Sequence, residues 1–165
     1  MVRTLEHRFK ILVEVTRFPG SKRYPHFNSG EMQIKLNGHQ IVYLHLEALG
    51  ERRELLKDSK NVGWHNKSFR GYADHIATSN FKRGIEQLLE LCQNNNRIAI
   101  ICAEAVQWQC HRMLISDYLT CIFELKVYHI LSDGKVERHS VTNFVQVVVD
   151  NGGKSPPPPS GGKMP

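Results

Sequence analysis

Apolar and polar positions along the chain fall into short runs of two kinds. Phe9-Lys10-Ile11-Leu12-Val13-Glu14-Val15 is rich in β-branched residues and is stopped by Phe18-Pro19-Gly20, which predicts a buried strand. A polar loop containing Arg and Pro follows through Phe27. Asn28 with Glu31 three residues later is a weak helix-start signal, and Asn37-Gly38 is a stop. Gln40 to Leu46 then reads as a second strand. Strand, helix and strand in so short a space make a βαβ unit, so the two strands are expected to pair in parallel.

Residues 47 to 68 are polar and irregular, the pattern of a long loop that is either functional or mobile. Two helices are predicted next, around Arg70 to Thr78 and from Ser79 to Gln93. The second puts Phe81, Ile85, Leu88, Leu89 and Cys92 on one face, which assigns Cys92 to the core. Arg97 to Cys102 is an unbroken apolar run, the pattern of a central parallel strand. A helix over Trp108 to Phe123 turns Leu114, Ile115, Tyr118, Leu119 and Ile122 to one side. Lys126–Leu131 and Lys135–His139 flank Asp133-Gly134 and predict a hairpin. Phe144 to Val149 fits strand or helix equally. From Asn151 the chain is Gly, Pro, Ser and Lys with four consecutive prolines, read as a disordered or polyproline-like spacer. The predicted fold is a single three-layer α/β domain over residues 1–150, with a mostly parallel sheet and a C-terminal β-hairpin.

Composition narrows the class. The 165 residues are 41% hydrophobic and 23% charged, which excludes a fibrous or fully disordered chain. No apolar run approaches the ~20 residues that span a bilayer, and no secretory leader pattern opens the sequence. A soluble, cytoplasmic protein without a membrane partner is expected. The four cysteines, Cys92, Cys102, Cys110 and Cys121, form no C-x-x-C pair, so they read as reduced thiols with at least two in the core. The net charge of +6 is uneven: residues 1–30 hold six Lys and Arg against two Glu. Such clustering suits an anion or nucleic-acid surface, or simply a solvated face.

Chemistry concentrates after the apolar run. Cys102-Ala103-Glu104 stands at the carboxyl end of a predicted strand, where ligands of open parallel sheets bind. Trp108, Cys110, His111 and Arg112 follow, in or beside the first turn of the next helix. A cysteine near a helix N-terminus is a candidate nucleophile, Glu104 a candidate acid, base or nucleophile, and Arg112 an anion grip. Cys102, Glu104, Cys110 and His111 are therefore the catalytic candidates. Metal binding by Cys102, Cys110 and His111 is the lesser reading, because no second ligand pair at zinc-like spacing exists. The competing account is that His111 and Arg112 brace the loop while both cysteines pack inside.

The loop after the first strand carries Thr16, Arg17, Ser21, Lys22, Arg23, Tyr24 and His26, and in a parallel sheet it opens toward the same edge. Glu14, a carboxylate inside an apolar run, needs a partner; an Arg from this loop, or a catalytic role, is expected. Phe69-Arg70-Gly71-Tyr72-Ala73-Asp74-His75-Ile76 mixes cations with aromatics at a helix start, a pattern suited to base stacking beside phosphate contacts. Arg70, Asp74 and His75 show no packing reason for their positions. Arg17, Arg23, Arg70, Tyr72 and Arg112 are the substrate-binding candidates.

These same segments carry a resemblance. Leu12-Val13-Glu14-Val15 with Arg17, Pro19, Ser21, Arg23 and Pro25-His26-Phe27 is similar to a family's Leu-Val-Asp-Val-Arg strand and Ser-Arg loop. Leu49-Gly50 with Arg52-Arg53, Phe69 to Asp74, Cys102-Ala103-Glu104, Cys110-His111-Arg112, and the hairpin of Val127 to Ile130 with Asp133-Gly134-Lys135 and His139 follow in order. Together they resemble the domain-of-unknown-function family number 488, over about Leu12 to Thr142. The resemblance implies a compact intracellular α/β domain with a site built from these motifs, and no established reaction. Glu14 stands where the family has Asp, Thr16 where it tends to have Arg, and Gln107-Trp108-Gln109 where it has Pro-Trp-Arg.

The functional expectation is an enzyme-like domain binding a phosphate-bearing ligand, a nucleotide or nucleic acid, with the arginines on the anion. A non-catalytic nucleic-acid-binding module is the alternative. No cofactor is named by these residues.

Overall fold

The computed structural model describes residues 9–20, 24–94, 97–104, 106, 109–143, 145, 148–150 and 153–155. In chain order the elements are β1 (Ile11–Glu14), α1 (Ser29–Asn37), β2 (Val42–His45), α2 (Lys67–Ile76), α3 (Ser79–Asn94), β3 (Ile98–Ile101), α4 (Arg112–Phe123), β4 (Tyr128–Ile130), β5 (Val136–Arg138), β6 (Val148–Asp150) and β7 (Gly153–Ser155). Short 3-10 turns occupy Pro25–Phe27 and Glu47–Leu49. The α/β class, the parallel sheet and the C-terminal hairpin are all present. The contacts divide the chain into two compact units, Met1–Gly50 with Arg83–Ala105, and Glu51–Lys82 with Val106–Pro165.

The first unit holds the parallel sheet, in the order β2-β1-β3. Leu12 pairs in register with Tyr43 of β2 and Ala99 of β3, so the expected βαβ unit forms around α1. Side chains alternate across a strand, and both faces of β1 are buried. One face packs Leu12 and Tyr43 with Phe9 and Ile41 against Met32 and Leu36, which are one helical turn apart on α1. Each such side chain contributes about 1.5–3 kcal/mol by leaving water. The apolar run of residues 98–101 is the exception to expectation. It lies at an edge of the three described strands, half-buried along its length, and β1 is central. An apolar run reports that the faces of a strand are covered, not how many neighbours it has.

Gly50 shows why the Leu49-Gly50 step is glycine. Its backbone is ordinary, but a Cβ there would stand 2.5 Å from the Cα and N of Arg17. The chain leaving β2 therefore presses directly on the chain leaving β1. Gly50→Ala is expected to cost about 1–3 kcal/mol through forced backbone movement, read as a lowered urea midpoint at unchanged slope. An unchanged midpoint would mean that the loop yields freely.

The second unit is built on interlocked rings. Phe81, fully buried, meets Tyr72 and Tyr118 edge-on at centroid distances of 6.2 and 5.1 Å. Helix α2 starts three residues before the predicted Arg70, because Asn66 caps it by accepting from Ser68 N at 2.8 Å and Phe69 N at 3.4 Å. The last predicted helix begins at Arg112 instead of Trp108, a residue outside those described. Cys110 is the one buried thiol among the four; Cys92, Cys102 and Cys121 are half-buried, which corrects the assignment of Cys92 to the core. Burial pushes the Cys92 thiol up, and for Cys121 the Asp117 carboxylate adds to burial. Strands β6 and β7 pair antiparallel, and residues 156–165 of the expected tail lie outside the described residues. No helix among the described residues is long and apolar enough to cross a membrane.

Candidate functional site

In the first unit the carboxyl edge of the sheet collects Thr16, Arg17, Cys102 and Glu104. Val15 N donates to Ile101 O at 2.8 Å, extending the β1–β3 ladder, so the two loops emerge side by side as expected. Thr16 is buried; its carbonyl is 2.7 Å from His45 Nε2, and its hydroxyl has no hydrogen-bond partner among the described residues. The Cys102 sulfur accepts from Glu104 N at 3.2 Å and so stiffens the turn that carries the exposed Glu104. The Arg17 guanidinium lies 5.1 Å over the Phe18 ring. Glu14 has its partner within the sheet: Tyr43 donates its hydroxyl to Glu14 Oε2, where a loop arginine was expected. Burial and that carboxylate push the Tyr43 hydroxyl far above its ordinary pKa. Arg23 lies outside the described residues.

The second unit gathers Arg70, Tyr72, Cys110, His111 and Arg112. Contrary to the sequence reading, Arg70, Asp74 and His75 do have structural reasons. Asp74, buried, accepts from Ser59 Oγ at 2.7 Å, Asn61 Nδ2 at 2.6 Å and Leu56 N at 3.2 Å. Arg70 donates to Ser59 O at 2.8 Å and to Ser59 Oγ at 3.2 Å. The long loop is thus pinned to α2 over its middle. Gly71 lets it cross, since a Cβ there would stand 2.5 Å from Arg53 O. His75 packs its ring against Tyr72 and Phe81. Tyr72 is enclosed, and its ring lies 5.0 Å from that of His111.

Cys110 and His111 are buried immediately before α4. The Cys110 sulfur accepts from Arg112 N at 3.4 Å and from Arg112 Nε at 3.2 Å, and lies 3.6 Å from His111 Nδ1. The other ring nitrogen of His111 is 3.9 Å from Glu51 Oε2. A thiol, an imidazole and a carboxylate therefore follow one another, with N–H donors converging on the sulfur at a helix N-terminus. The first turn of α4 has no acidic residue, and its N-cap His111 makes no side-chain capping hydrogen bond. Sequence reasoning missed Glu51. It sits in a polar segment among other charges, and only its place between Gly50 and Arg52-Arg53 pointed to it.

A second polar constellation lies farther along α4. Asp117 Oδ1 accepts from His139 Nε2 at 2.9 Å, and His139 Nδ1 is 2.8 Å from His129 Nε2. Burial, with His139 and Arg112 adding to it, lowers the His129 pKa below its ordinary 6.5, against an opposite pull from Asp117. A lowered folded-state value means the unfolded chain takes up this proton first. The contribution is fully present above pH 6.5 and is lost as pH falls from there through the folded value. Urea midpoints measured from pH about 7.5 down to about 5 should fall, and His129→Gln should flatten that part of the curve. A curve of the same slope in the variant would assign the loss elsewhere.

The class follows from the fold and these side chains: an α/β protein with a parallel βαβ core and a cysteine–histidine–arginine step opening a helix. The family model of the domain of unknown function DUF488 matches residues 3–119, and the chain belongs to that family. No curated protein and no solved structure matches it.

Proposed function

We propose that the protein binds a phosphate-bearing ligand, a nucleotide or nucleic acid, and acts on it with Cys110 as the nucleophile. Arg112 and the first turn of α4 hold the anion, His111 exchanges the proton of the thiol, and Glu51 orients the imidazole. The observation that carries this reading is the convergence of Arg112 N–H and Nε–H on the Cys110 sulfur, with His111 Nδ1 3.6 Å from it.

Equilibrium binding to a panel of mononucleotides and short oligonucleotides tests it. Arg112→Ala is expected to weaken binding about 10- to 100-fold, the worth of one or two charged hydrogen bonds. Equal affinity of the native chain and Arg112→Ala for every phosphate-bearing member would refute the reading.

One observation favours the non-catalytic alternative. Phe18, Tyr24 and Phe27 are large exposed aromatics, Phe18 with the Arg17 guanidinium over its ring and Phe27 with the His26 ring 4.3 Å from its own. Exposed rings with a cation suit stacking of unpaired bases. A nucleic-acid module of this kind would show affinity that falls steeply with salt and on Phe27→Ala, and that ignores Cys110→Ser.

A further inference from the structure

One face of the β4–β5 hairpin is tied to α4 and the other is open. On the tied side, His139 Nε2 is 2.9 Å from Asp117 Oδ1, and Thr142 donates to the same carboxylate through its N–H and its hydroxyl. Side chains alternate across a strand, so Tyr128 and Ile130 of β4 share the open face with Arg138 and Val136, their partners on β5. Tyr128, Ile130 and Val136 are 53%, 42% and 48% exposed. Three large apolar side chains thus stand together on a sheet of two strands, a unit that holds in water only with further strands or packing.

The phase of the ladder shows which backbone groups are spare. His139 N donates to Val127 O at 2.9 Å and Leu131 N to Lys135 O at 2.8 Å, so residues 127, 129 and 131 turn their backbone groups toward β5. Tyr128 and Ile130 therefore turn N–H and C=O to the outer edge of β4, where no strand among the described residues pairs with them. Exposed edges are normally blunted by charge, Pro or a bulge. Strand β5 carries Glu137 and Arg138; β4 reads Tyr-His-Ile in unbroken register, with no Lys, Arg, Asp, Glu or Pro.

The register selects the occupant of that edge. Two copies of β4, set antiparallel about an axis at His129, place Tyr128 of each opposite Ile130 of the other. These are the residues whose backbone groups point outward, so each such pair can exchange both N–H···O bonds. The same step sets an aromatic against a β-branched side chain on the open face, a favourable cross-strand pair. On β5 the equivalent axis falls at Glu137 and puts that carboxylate opposite its own copy, which like charge opposes. The stretch after β7 opens with Pro156 to Pro159, which have no N–H to give.

We propose that the outer edge of β4 is a self-association surface, on which a second copy of the chain adds its own β4 to make one antiparallel sheet in the order β5-β4-β4-β5. Across it, Val136 and Ile130 continue into the second copy's Tyr128 and Arg138. The arrangement is closed, since each unguarded edge is used up and the charged β5 edges lie outside.

Sedimentation equilibrium of the full chain from about 10 μM to about 1 mM, with amide hydrogen exchange at both ends of that range, tests it. A small patch of this kind suits a Kd on the order of 100 μM, for which the Tyr128 and Ile130 amides should exchange about fourfold more slowly at the higher concentration. The Val136 and Arg138 amides, which point outward from β5, should keep their rates. Ile130→Pro removes an outward donor and no bond to β5, and Ile130→Lys charges the edge with the backbone intact; both should leave a monomer at about 1 mM. A native chain that is monomeric at that concentration overturns the proposal. So does a dimer whose Tyr128 and Ile130 amides exchange as fast as in dilute solution, since another face then associates. Slow exchange at these two amides that ignores concentration also overturns it, because the chain itself then occupies the edge.

Discussion

Replacing Asp74 with alanine should destabilise the protein by about 3 kcal/mol or more, because a buried carboxylate that accepts three hydrogen bonds is lost. The carboxylate is the common acceptor for Ser59, Asn61 and the Leu56 backbone, three points of the segment that joins the 3-10 turn after β2 to α2. Its loss strands those donors, and each buried unsatisfied group costs about 1–3 kcal/mol less whatever water can recover. Asp74→Asn should cost less, because its amide oxygen still accepts from Ser59 and Asn61 while its NH2 opposes the Leu56 N–H. Denaturant unfolding of both variants gives the values. Hydrogen exchange at Leu56, Ser59 and Asn61 should accelerate more than exchange within β1, since the damage is local to the loop. Equal stability of Asp74→Ala and the native chain would show that the loop is held by other means.

The second large effect belongs to Cys110. Cys110→Ser keeps an oxygen acceptor for the Arg112 N–H and Nε–H groups and removes the nucleophilic sulfur. Turnover of any phosphate-bearing substrate should fall by about 10³-fold or more, because the covalent route closes. Affinity should stay within about twofold, since the anion contacts remain. Single-turnover measurements alongside equilibrium binding separate the two. A variant that binds weakly and turns over at the native rate would reverse the roles assigned to Cys110 and Arg112.

The elements of the fold were legible where a run had one dominant reason. Ile11–Glu14 and Val42–His45 lie in runs rich in β-branched and aliphatic residues, and both are strands. Phe81, Ile85 and Leu88 keep helical spacing, and all three are buried on α3. Cys92 extends the same stripe by one more turn but lies near the helix end, where cover runs out. The position of β3 at an edge was not legible, because covered faces and ladder neighbours leave different marks and only the first is written in hydropathy.

Site residues divide in the same way. Cys110, His111 and Arg112 were marked by residue type at the start of a helix. Glu51 and Asp117 were not, since each acts through a partner distant in the chain, His111 and His139 respectively, and Asp74 was noticed without its partner Ser59. Glycines at 50 and 71 stood out in the motifs, but their reason is a neighbouring backbone within reach of a Cβ, which no local pattern encodes. Polar residues with long-range partners look, in sequence, like surface.

The central claim is that the Arg112 end of α4, beside Cys110, receives the phosphate of a ligand. Titrating the nitrogen-labelled chain with a nucleoside monophosphate tests it most directly. The account predicts saturable shifts of the Arg112 Nε–H and of the Arg112 and Met113 backbone amides, absent in Arg112→Gln. Shifts confined to other surfaces, or unchanged by that substitution, would contradict it.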